Sequence, residues 1–245
     1  MSEGRAGGAT APAHPASTVV IPAFRAAATL GDVVERVRRQ VPGALVLVVD
    51  DGSGDGTADA AAAAGATVLR HEANLGKGRA LATGLAAAVR SGAATVVTLD
   101  ADGQHPPEAI PGLLAPIVAG AADLVVGTRP RRGAMPLGRR CSNWLSSTLL
   151  SRAVGFAVPD SQSGFRAMRR EVAEAVRPAG GRYEYETEFL FLAARRGFRI
   201  AAVAAPTVYE GAASHFRYGA DTLALAAVFL RHWRPVLLGP DSGPR

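Results

Sequence analysis

The chain has 245 residues, of which 48% are apolar and 20% charged, and its formal net charge is +6. This composition excludes a disordered chain and fits one domain with a real hydrophobic core. The single cysteine, Cys141, excludes a disulfide framework and a thiolate metal cluster. All basic residues except Lys77 and the histidines are arginine. The positive charge suits nucleotides, phosphates, acidic lipid or nucleic acid as partners.

The two ends of the chain differ from its middle in composition. Residues 1–17 and 239–245 are rich in small residues and proline and lack the apolar centre of a signal peptide. We therefore expect two disordered tails around a single domain at 18–238. No apolar run reaches the roughly 18 residues of a membrane span. The expected location is the cytoplasm, with peripheral contact to the inner face of the membrane left open.

The first predicted elements alternate between strand and helix. Residues 18–21 are mostly β-branched and predict a strand that Pro22 ends. Thr29 is the expected N-cap of a helix whose apolar positions recur every three or four residues as far as Val41. Residues 44–49 are continuously apolar, which indicates a strand buried on both faces.

The same alternation continues to residue 126. The further predicted elements are a turn at 50–56, a helix capped by Thr57, a strand at 67–69, a helix at 78–90, a strand at 95–99, a helix from Pro106 and a strand at 123–126. This order predicts an α/β fold with a mostly parallel sheet and helices on both faces. Ligands of such sheets bind beyond the carboxyl ends of the strands. Two pairs of acids lie at such ends, namely Asp50 with Asp51 and Asp100 with Asp102.

Beyond residue 127 the pattern weakens. Residues 124–159 contain no acid but six arginines, at positions 129, 131, 132, 139, 140 and 152. Trp144, Leu149 and Leu150 lie among them, so this stretch predicts either an amphipathic helix on a bilayer surface or an ordinary helix with a solvated basic face. A helix at 186–196, a strand at 200–204 and a terminal helix complete the prediction.

The pair of carboxylates in Asp100-Ala-Asp102 favours a metal site. Two like charges this close repel each other, and a divalent cation between them removes the conflict. Gln104 adds a neutral oxygen, and oxygen-only ligation favours Mg²⁺ or Mn²⁺. The alternative is a solvated acidic turn. His105 is interpreted as an ordinary loop histidine.

Three further segments each allow two interpretations. Asp51 could accept a hydrogen bond from a base or ribose, or serve only the turn in which it lies. Lys77, on a glycine-flanked turn before a helix, could bind phosphate or merely begin the helix. Residues 160–166 could line an acceptor site, with Arg166 meeting an anion, or form a structural turn. Walker and dinucleotide glycine patterns both fail, because His71 and Thr57 stand where they need glycine.

Taken together, these segments resemble family 2 inverting glycosyltransferases of the GT-A fold, in particular the dolichol-phosphate mannosyltransferase type. The segments that carry the resemblance are VIPAF at 20–24, VDDGSGDGT at 49–57, NLGKG at 74–78, DADGQHPPE at 100–108, GTR at 127–129, DSQSGFR at 160–166 and SHF at 214–216. The resemblance spans about residues 18–222. It implies transfer of a hexose from GDP- or UDP-hexose to a polyprenyl phosphate with inversion.

The resemblance also implies roles for individual residues. The nucleotide base would be held by Asp51 and lined by Pro22 and Ala23. The implied metal ligands are Asp100, Asp102 and Gln104, with Asp102 also counted as catalytic. The implied groups for phosphates and for the acceptor side are Lys77, Arg129, Arg139 or Arg140, Asp160, Gln162 and Ser163. Glu188 matches an acidic position on the helix that faces the site, and with Arg129 and Asp160 it completes the implied catalytic set.

One departure and two alternatives remain open. The family usually has Glu where Ala26 stands, which leaves the donor less certain and is the sole support for a non-catalytic nucleotide-sugar-binding subunit. The same chemistry on a soluble or cell-envelope hydroxyl would need a general base, for which Asp160 and Glu188 are the candidates. A lipid phosphate is already anionic and needs no base. Nucleic acid is not expected as a partner, because no basic surface interleaved with aromatic residues is evident.

Overall fold

The computed structural model describes residues 16–128, 147, 148, 151, 160–182, 184–206, 227, 228, 230 and 231. The strands are β1 Ser17–Ala23, β2 Leu45–Asp50, β3 Thr67–Arg70, β4 Thr95–Thr98, β5 Leu124–Thr128, β6 Arg166–Arg169 and β7 Ile200–Ala204. The helices are α1 Ala27–Gln40, α2 Thr57–Ala63, α3 Lys77–Arg90, α4 Ile110–Val118, α5 Arg170–Ala175 and α6 Glu184–Arg195. A 3₁₀ turn at Pro107–Ala109 leads into α4.

The strands of the described residues form one seven-stranded sheet in the order β3-β2-β1-β4-β6-β5-β7. Neighbouring strands are parallel except at β6, which runs antiparallel to both β4 and β5. The predicted α/β class and mostly parallel sheet are therefore confirmed. Strand β6 was not predicted, because its sequence, Arg-Ala-Met-Arg, has neither a β-branched residue nor a polar alternation.

Helices cover both faces of the sheet. The apolar stripe of α1 (Leu30, Val33, Val34 and Val37) packs on one face together with residues of α2 and α4. The opposite face is covered by α3, α5 and α6, with Phe189 and Phe191 among the largest buried side chains. The sheet is thus the middle of three layers, and only its edges and strand ends can present polar groups to a ligand. None of the helices that the structure describes combines the length and apolar character that a membrane span requires.

The start and end of β1 both differ from the prediction. Ser17 belongs to the strand rather than to the tail, since its hydroxyl is 2.7 Å from that of Thr95 on β4. Pro22 does not end the strand, which continues to Ala23 beside Asp50. The carbonyl of Val20 accepts a hydrogen bond from the N–H of Leu99, which follows β4. The backbone of Pro22, two residues further along, faces β4 as well, but it lies beyond Val20–Thr98, the last β1–β4 pair. Its missing N–H therefore leaves no ladder bond unmade.

Two threonines predicted as helix N-caps have other roles. Helix α1 begins at Ala27, and the hydroxyl of Thr29 in its first turn donates to the carbonyl of Ala101 at 2.8 Å. Thr57 is the first residue of α2, and its hydroxyl accepts a hydrogen bond from the backbone N–H of Ala26 at 2.9 Å. Both hydroxyls thus connect segments distant in sequence, which a local capping rule does not consider.

Candidate active site

The site lies at the carboxyl edge of the central strands. Because β2, β1 and β4 are adjacent and parallel, the chain leaves all three at the same edge. Strand β6 begins at this edge, since Arg166 pairs with Thr98. The acids after β2, the acids after β4 and the loop before β6 therefore surround one region, as the sequence predicted for the acids.

Asp51 holds the turn that precedes α3. Its Oδ1 accepts a hydrogen bond from the N–H of Leu75 at 3.0 Å, and its Oδ2 accepts one from the N–H of Gly76 at 2.8 Å. The same Oδ1 lies 2.7 Å from Nδ1 of His71, whose Nε2 is 3.0 Å from the hydroxyl of Thr83. Asp51 is only 2% exposed. The described contacts therefore position this turn, and contact with a nucleotide base stays a prediction.

The turn after β2 packs closely against the turn before α3. Asp50 accepts a hydrogen bond from the N–H of Ser53 at 3.1 Å, which closes the turn. Gly52 has a φ of 74°, and a Cβ there would lie 2.5 Å from the carbonyl carbon of Ala73. Only glycine permits both this backbone conformation and this contact.

Lys77 lies between two acidic side chains, Asp100 and Glu186. Its Nζ is 2.8 Å from Oδ1 of Asp100 and 2.8 Å from Oε1 of Glu186. Burial by itself would lower the pKa of Lys77, but the charges and hydrogen bonds of Asp100 and Glu186 outweigh burial and raise that pKa well above its usual range. The ammonium is therefore charged at any physiological pH.

The second acid of the pair after β4 faces outward. Asp102 is exposed, and its Oδ1 accepts a hydrogen bond from the N–H of Gln104 at 3.0 Å. Gly103 between them has a φ of 70°, which lets the turn reverse there. Among the described residues no group of three or more His, Cys, Asp and Glu is placed to hold a metal. The available donors are the oxygens of Asp100, Asp102 and Gln104, and such a set fits Mg²⁺ or Mn²⁺ with further oxygens from water or phosphate.

Hydrogen bonds of two buried hydroxyl groups fix the loop before β6. The buried hydroxyl of Ser163 donates to the carbonyl of Gly127 at 2.6 Å, and that of Thr98 donates to the carbonyl of Gly164 at 2.7 Å. Asp160 is 3% exposed and accepts a hydrogen bond from the N–H of Gln162 at 3.2 Å. These contacts shape the loop, and acceptor binding by Asp160, Gln162 and Ser163 stays a prediction.

Of the two interpretations of residues 160–166, the contacts of Arg166 favour the structural turn. The guanidinium of Arg166 is buried and donates to the carbonyls of Ser161, Ser163 and Glu186 at 2.8 to 3.2 Å. Burial lowers the pKa of Arg166 despite the acids around it. Arg166 thus joins the loop before β6 to helix α6. The five N–H donors of a guanidinium can serve backbone carbonyls as well as anions.

Glu188 holds a second loop. Its Oε2 accepts hydrogen bonds from the N–H groups of Ala179 and Gly180 at 2.9 and 2.8 Å, and its Oε1 lies 3.3 Å from Arg231. The carbonyl of Gly181 in this loop accepts a hydrogen bond from the N–H of Gly78, next to Lys77. These contacts indicate a residue that positions the loop, and a catalytic role for Glu188 stays a prediction.

The two residues predicted to line a base pocket, at the end of β1, are buried. Pro22 and Ala23 have little exposed surface, whereas the next residue, Phe24, is 37% exposed. The guanidinium of Arg25 lies 5.1 Å from the ring of Phe24. Lining of a base pocket by Pro22 and Ala23 therefore stays a prediction.

His105 is 1% exposed and stacks on Phe165 with 5.2 Å between ring centres, so it is a packed side chain rather than a surface one.

The chain matches the glycosyl transferase family 2 over residues 18–177, which include β1 to α5 and most of the site. The chain belongs to glycosyl transferase family 2. It is 33% identical over 198 residues to the undecaprenyl-phosphate mannosyltransferase of Micrococcus luteus, an alignment that covers 75% of this chain and 80% of the relative. It is 34% identical over 200 residues to the polyprenol monophosphomannose synthase of Mycolicibacterium smegmatis, covering 76% and 74%. The predicted family and subgroup are confirmed.

A solved structure supports the predicted fold of this glycosyltransferase. The glucosyl-3-phosphoglycerate synthase of Mycobacterium tuberculosis, crystallised with Mg²⁺ and uridine diphosphate, superposes with a TM-score of 0.73 and 28% identity. The match covers 94% of this chain and 82% of that protein. The likeness therefore extends over most of both chains.

Some predicted site residues of the glycosyltransferase lie outside the described residues, namely Arg129, Arg139 and Arg140. Conversely, sequence reasoning missed Glu186, although in the described part of the chain it is one of two acids in contact with Lys77. A usable signal was present: Glu186 lies in a helix whose neighbouring positions, Tyr185 and Phe189, are apolar, and a buried acid needs a cationic partner.

Proposed function

We propose that this glycosyltransferase moves a hexose from a nucleotide sugar to a polyprenyl phosphate with inversion at the anomeric carbon. The observation that carries the proposal is the similarity, over three quarters of the chain, to two enzymes named for mannosyl transfer to polyprenyl phosphate. The acids and Lys77 at the carboxyl edge of the sheet are consistent with a nucleotide diphosphate bound there. Action on a lipid acceptor would place the protein at a membrane surface.

The residues of the site divide the work of binding and transfer. Asp102, Gln104 and Asp100 would hold Mg²⁺ or Mn²⁺, which when bound supplies positive charge to the departing diphosphate. Lys77 adds a second cation beside Asp100. Asp51 keeps the turn of Lys77 in place through the N–H groups of Leu75 and Gly76. An acceptor phosphate is already anionic and attacks without a general base.

Phosphate recognition on the acceptor side remains part of the proposal. Arg129 with Arg139 or Arg140 would meet phosphate oxygens, because guanidinium groups bind them in a bidentate manner. Asp160 and Gln162 would contact the acceptor, and Ser163 supports their loop through the carbonyl of Gly127. The donor would be GDP- or UDP-hexose, with the base near Asp51, Pro22 and Ala23.

A soluble acceptor is the second candidate function. The structural likeness to glucosyl-3-phosphoglycerate synthase favours it. A hydroxyl acceptor needs a general base. In that case the contacts of Glu188 with Ala179, Gly180 and Arg231 favour Asp160 as the base.

A product assay distinguishes the two acceptors. The purified protein is incubated with Mn²⁺ and either GDP-mannose or UDP-glucose, together with undecaprenyl phosphate in anionic liposomes or with 3-phosphoglycerate. We expect a glycosylated lipid phosphate by mass spectrometry and sedimentation of the protein with the liposomes. A glycosylated phosphoglycerate with no lipid product would contradict the proposal and support the second candidate.

The metal and the catalytic assignment are tested with Asp102→Asn. We expect nucleotide-sugar turnover to fall by about a hundredfold or more, because the diphosphate loses its counter-charge as it leaves. Unfolding by urea should change little, since Asp102 is exposed. Unchanged turnover in the variant would contradict the assignment of Asp102.

The metal requirement is tested on the wild type. Its thermal stabilisation by GDP- or UDP-sugars should require Mn²⁺, and an equal shift in melting temperature in EDTA would argue against the metal.

A further inference from the structure

Lys77 is the one lysine in a chain with 27 Lys and Arg residues. All the others of this set are arginine, yet the position between two site acids is a lysine. An ammonium is compact and can exchange one partner for another, whereas a guanidinium prefers a fixed planar pair. This choice suggests that Lys77 changes partners.

The two partners of Lys77 differ in their access to solvent. The side chain of Glu186 is 3% exposed, while that of Asp100 is 20% exposed. Gly164 packs closely against Asp100 and Lys77, since a Cβ there would lie 2.6 Å from Oδ1 of Asp100 and 2.9 Å from Nζ of Lys77. Lys77 thus has one partner that is fully buried and one that solvent reaches.

This arrangement allows Asp100 to be released without isolating Lys77. The side chain of Lys77 is 24% exposed, and a largely desolvated ammonium with no partner is costly. If Asp100 turns to another cation, Glu186 still neutralises Lys77 at 2.8 Å. Asp100 is also one of the oxygen donors that suit a divalent metal, so the metal and the ammonium have a ligand in common.

We propose that the Lys77 ammonium and the divalent metal compete for Asp100, and that Glu186 is the positioning residue that keeps the displaced ammonium beside the bound diphosphate. In the donor-free enzyme the ammonium holds Asp100, so metal binds weakly. When nucleotide sugar and metal arrive together, the diphosphate becomes the new partner of Lys77. Metal and donor therefore bind cooperatively. This inference rests on the proposed function, because it takes the site to bind a metal and a diphosphate.

Binding of Mn²⁺ to the nucleotide-free protein, followed by electron paramagnetic resonance, tests the competition. Lys77→Met should bind Mn²⁺ about tenfold more tightly than the wild type, a coupling of ordinary size for two ligands of one protein. Arg79→Met removes the same charge from the same helical turn at an exposed position, and it should change the affinity less than about twofold. Equal effects of the two variants would overturn the proposal.

The role of Glu186 predicts a change of the opposite sign. Among the described residues, Glu186→Gln leaves Asp100 as the acidic partner of Lys77, so Mn²⁺ should bind the free protein about threefold more weakly. Glu184→Gln is the matched control, since Glu184 lies on the same helix and binds the N–H of Gly181 rather than Lys77. A purely structural role for Glu186 would lower the melting temperature without a difference in Mn²⁺ affinity between the two variants, and that result would contradict the positioning role.

A measurement on the unmutated protein avoids the risk that a variant fails to fold. Labelling with ¹⁵N-lysine gives one side-chain ammonium signal, because Lys77 is the only lysine. Saturating Mg²⁺ should shift this signal, and Mg²⁺ with UDP or GDP should shift it again. A signal that does not respond to bound Mg²⁺ would overturn the proposal.

The two levels of inference fail in different ways. Competition without any lipid product would leave the inference standing and contradict the proposed acceptor. Lipid product with no competition would contradict the inference alone. Absence of Mn²⁺ binding even with UDP and GDP would contradict both, through the metal assignment.

Discussion

Gly164 lies directly against the Lys77–Asp100 ion pair, which leaves no space for a side chain at this position. A Cβ at this position would lie 2.6 and 2.9 Å from the two oxygens of Asp100. Such contacts are shorter than van der Waals distance, so one of the neighbours would have to move. The glycine is therefore needed for the close approach of the loop before β6 to the acids after β4.

We predict that Gly164→Ala lowers both activity and stability. The added methyl group should displace the carboxylate of Asp100 and reduce kcat/KM by about tenfold or more, since small errors of placement are expensive in catalysis. The free energy of unfolding should fall by about 1–3 kcal/mol, as for other insertions into a packed region. Steady-state kinetics and urea unfolding measure the two effects.

Gly112→Ala is the control at the same scale. Gly112 lies on α4, and a Cβ there would meet nothing within 4 Å. The substitution should raise stability by about 0.5–1 kcal/mol, because alanine has the higher helix propensity. Activity should be unchanged. If Gly164→Ala behaved like this control, the ion pair would not require the glycine.

At the scale of elements, one carboxylate determines how helix α3 begins. The N-terminal turn of α3 has no side-chain cap of its own. Asp51, at the end of β2, instead accepts hydrogen bonds from Leu75 and Gly76 just before the helix. The strand end and the helix start are thereby joined, and Lys77 follows directly. The carboxylate of Asp51 therefore positions the start of α3, and the start of α3 positions Lys77.

Asp51→Asn should loosen this turn while preserving the shape of the side chain. One oxygen becomes an amide donor, which cannot accept the N–H it faces, so we expect a loss of about 1–3 kcal/mol in stability. Hydrogen exchange at the amides of Leu75 and Gly76 should accelerate. Asp59→Asn, at an exposed site on α2, should change stability by less than about 0.5 kcal/mol. Slow exchange in the Asp51 variant would show that other contacts hold the turn.

At the scale of the whole molecule, Asp123 joins the far ends of three strands. It precedes β5, its carboxylate accepts hydrogen bonds from the backbone and side chain of Arg199 before β7, and it lies 3.5 Å from Arg169 at the end of β6. The hydrogen bonds from the Arg199 side chain, partly opposed by burial, lower the pKa of Asp123 to about 2. In an unfolded chain the pKa of Asp is about 3.9.

This depressed pKa predicts an acid-sensitive contribution to stability. The contribution should be complete above about pH 4 and should disappear as the pH falls toward 2, because the unfolded state then binds a proton more readily than the folded state. We expect about 1 kcal/mol, less than the full shift implies, because the Arg199 side chain is 54% exposed. Urea unfolding of Asp123→Asn should show this loss at pH 7 and none near pH 2.

The matching control is Glu35→Gln, which removes an exposed pair with Arg39 at 3.8 Å. Its stability should follow that of the wild type at every pH within about 0.5 kcal/mol. A pH-independent deficit in Asp123→Asn would mean that the aspartate acts through packing or backbone contacts rather than through its charge.

Much of the first half of the fold follows from local pattern. The apolar run before Asp50 and the spacing of Leu30, Val33 and Val37 predict their elements because burial and periodicity are properties of the chain itself. The positions of Asp51 and Asp100 follow from the same reasoning, since acids that end parallel strands must meet at one edge. The family was evident from motifs of this half.

The remaining features depend on partners that are distant in the chain. Strand β6 exists because β4 and β5 pair with it, not because Arg-Ala-Met-Arg favours a strand. Glu186 and Glu188 are two residues apart on α6, yet one holds Lys77 and the other holds the 179–180 loop. Residues 160–166 allowed two interpretations, and only the packed structure shows that Arg166 donates to carbonyls there. The sequence alone therefore determined the family, the α/β class with its mostly parallel sheet, and the edge at which the acids lie. The tertiary structure decided which acid pairs with which cation, because those choices depend on distances between segments that only packing brings together.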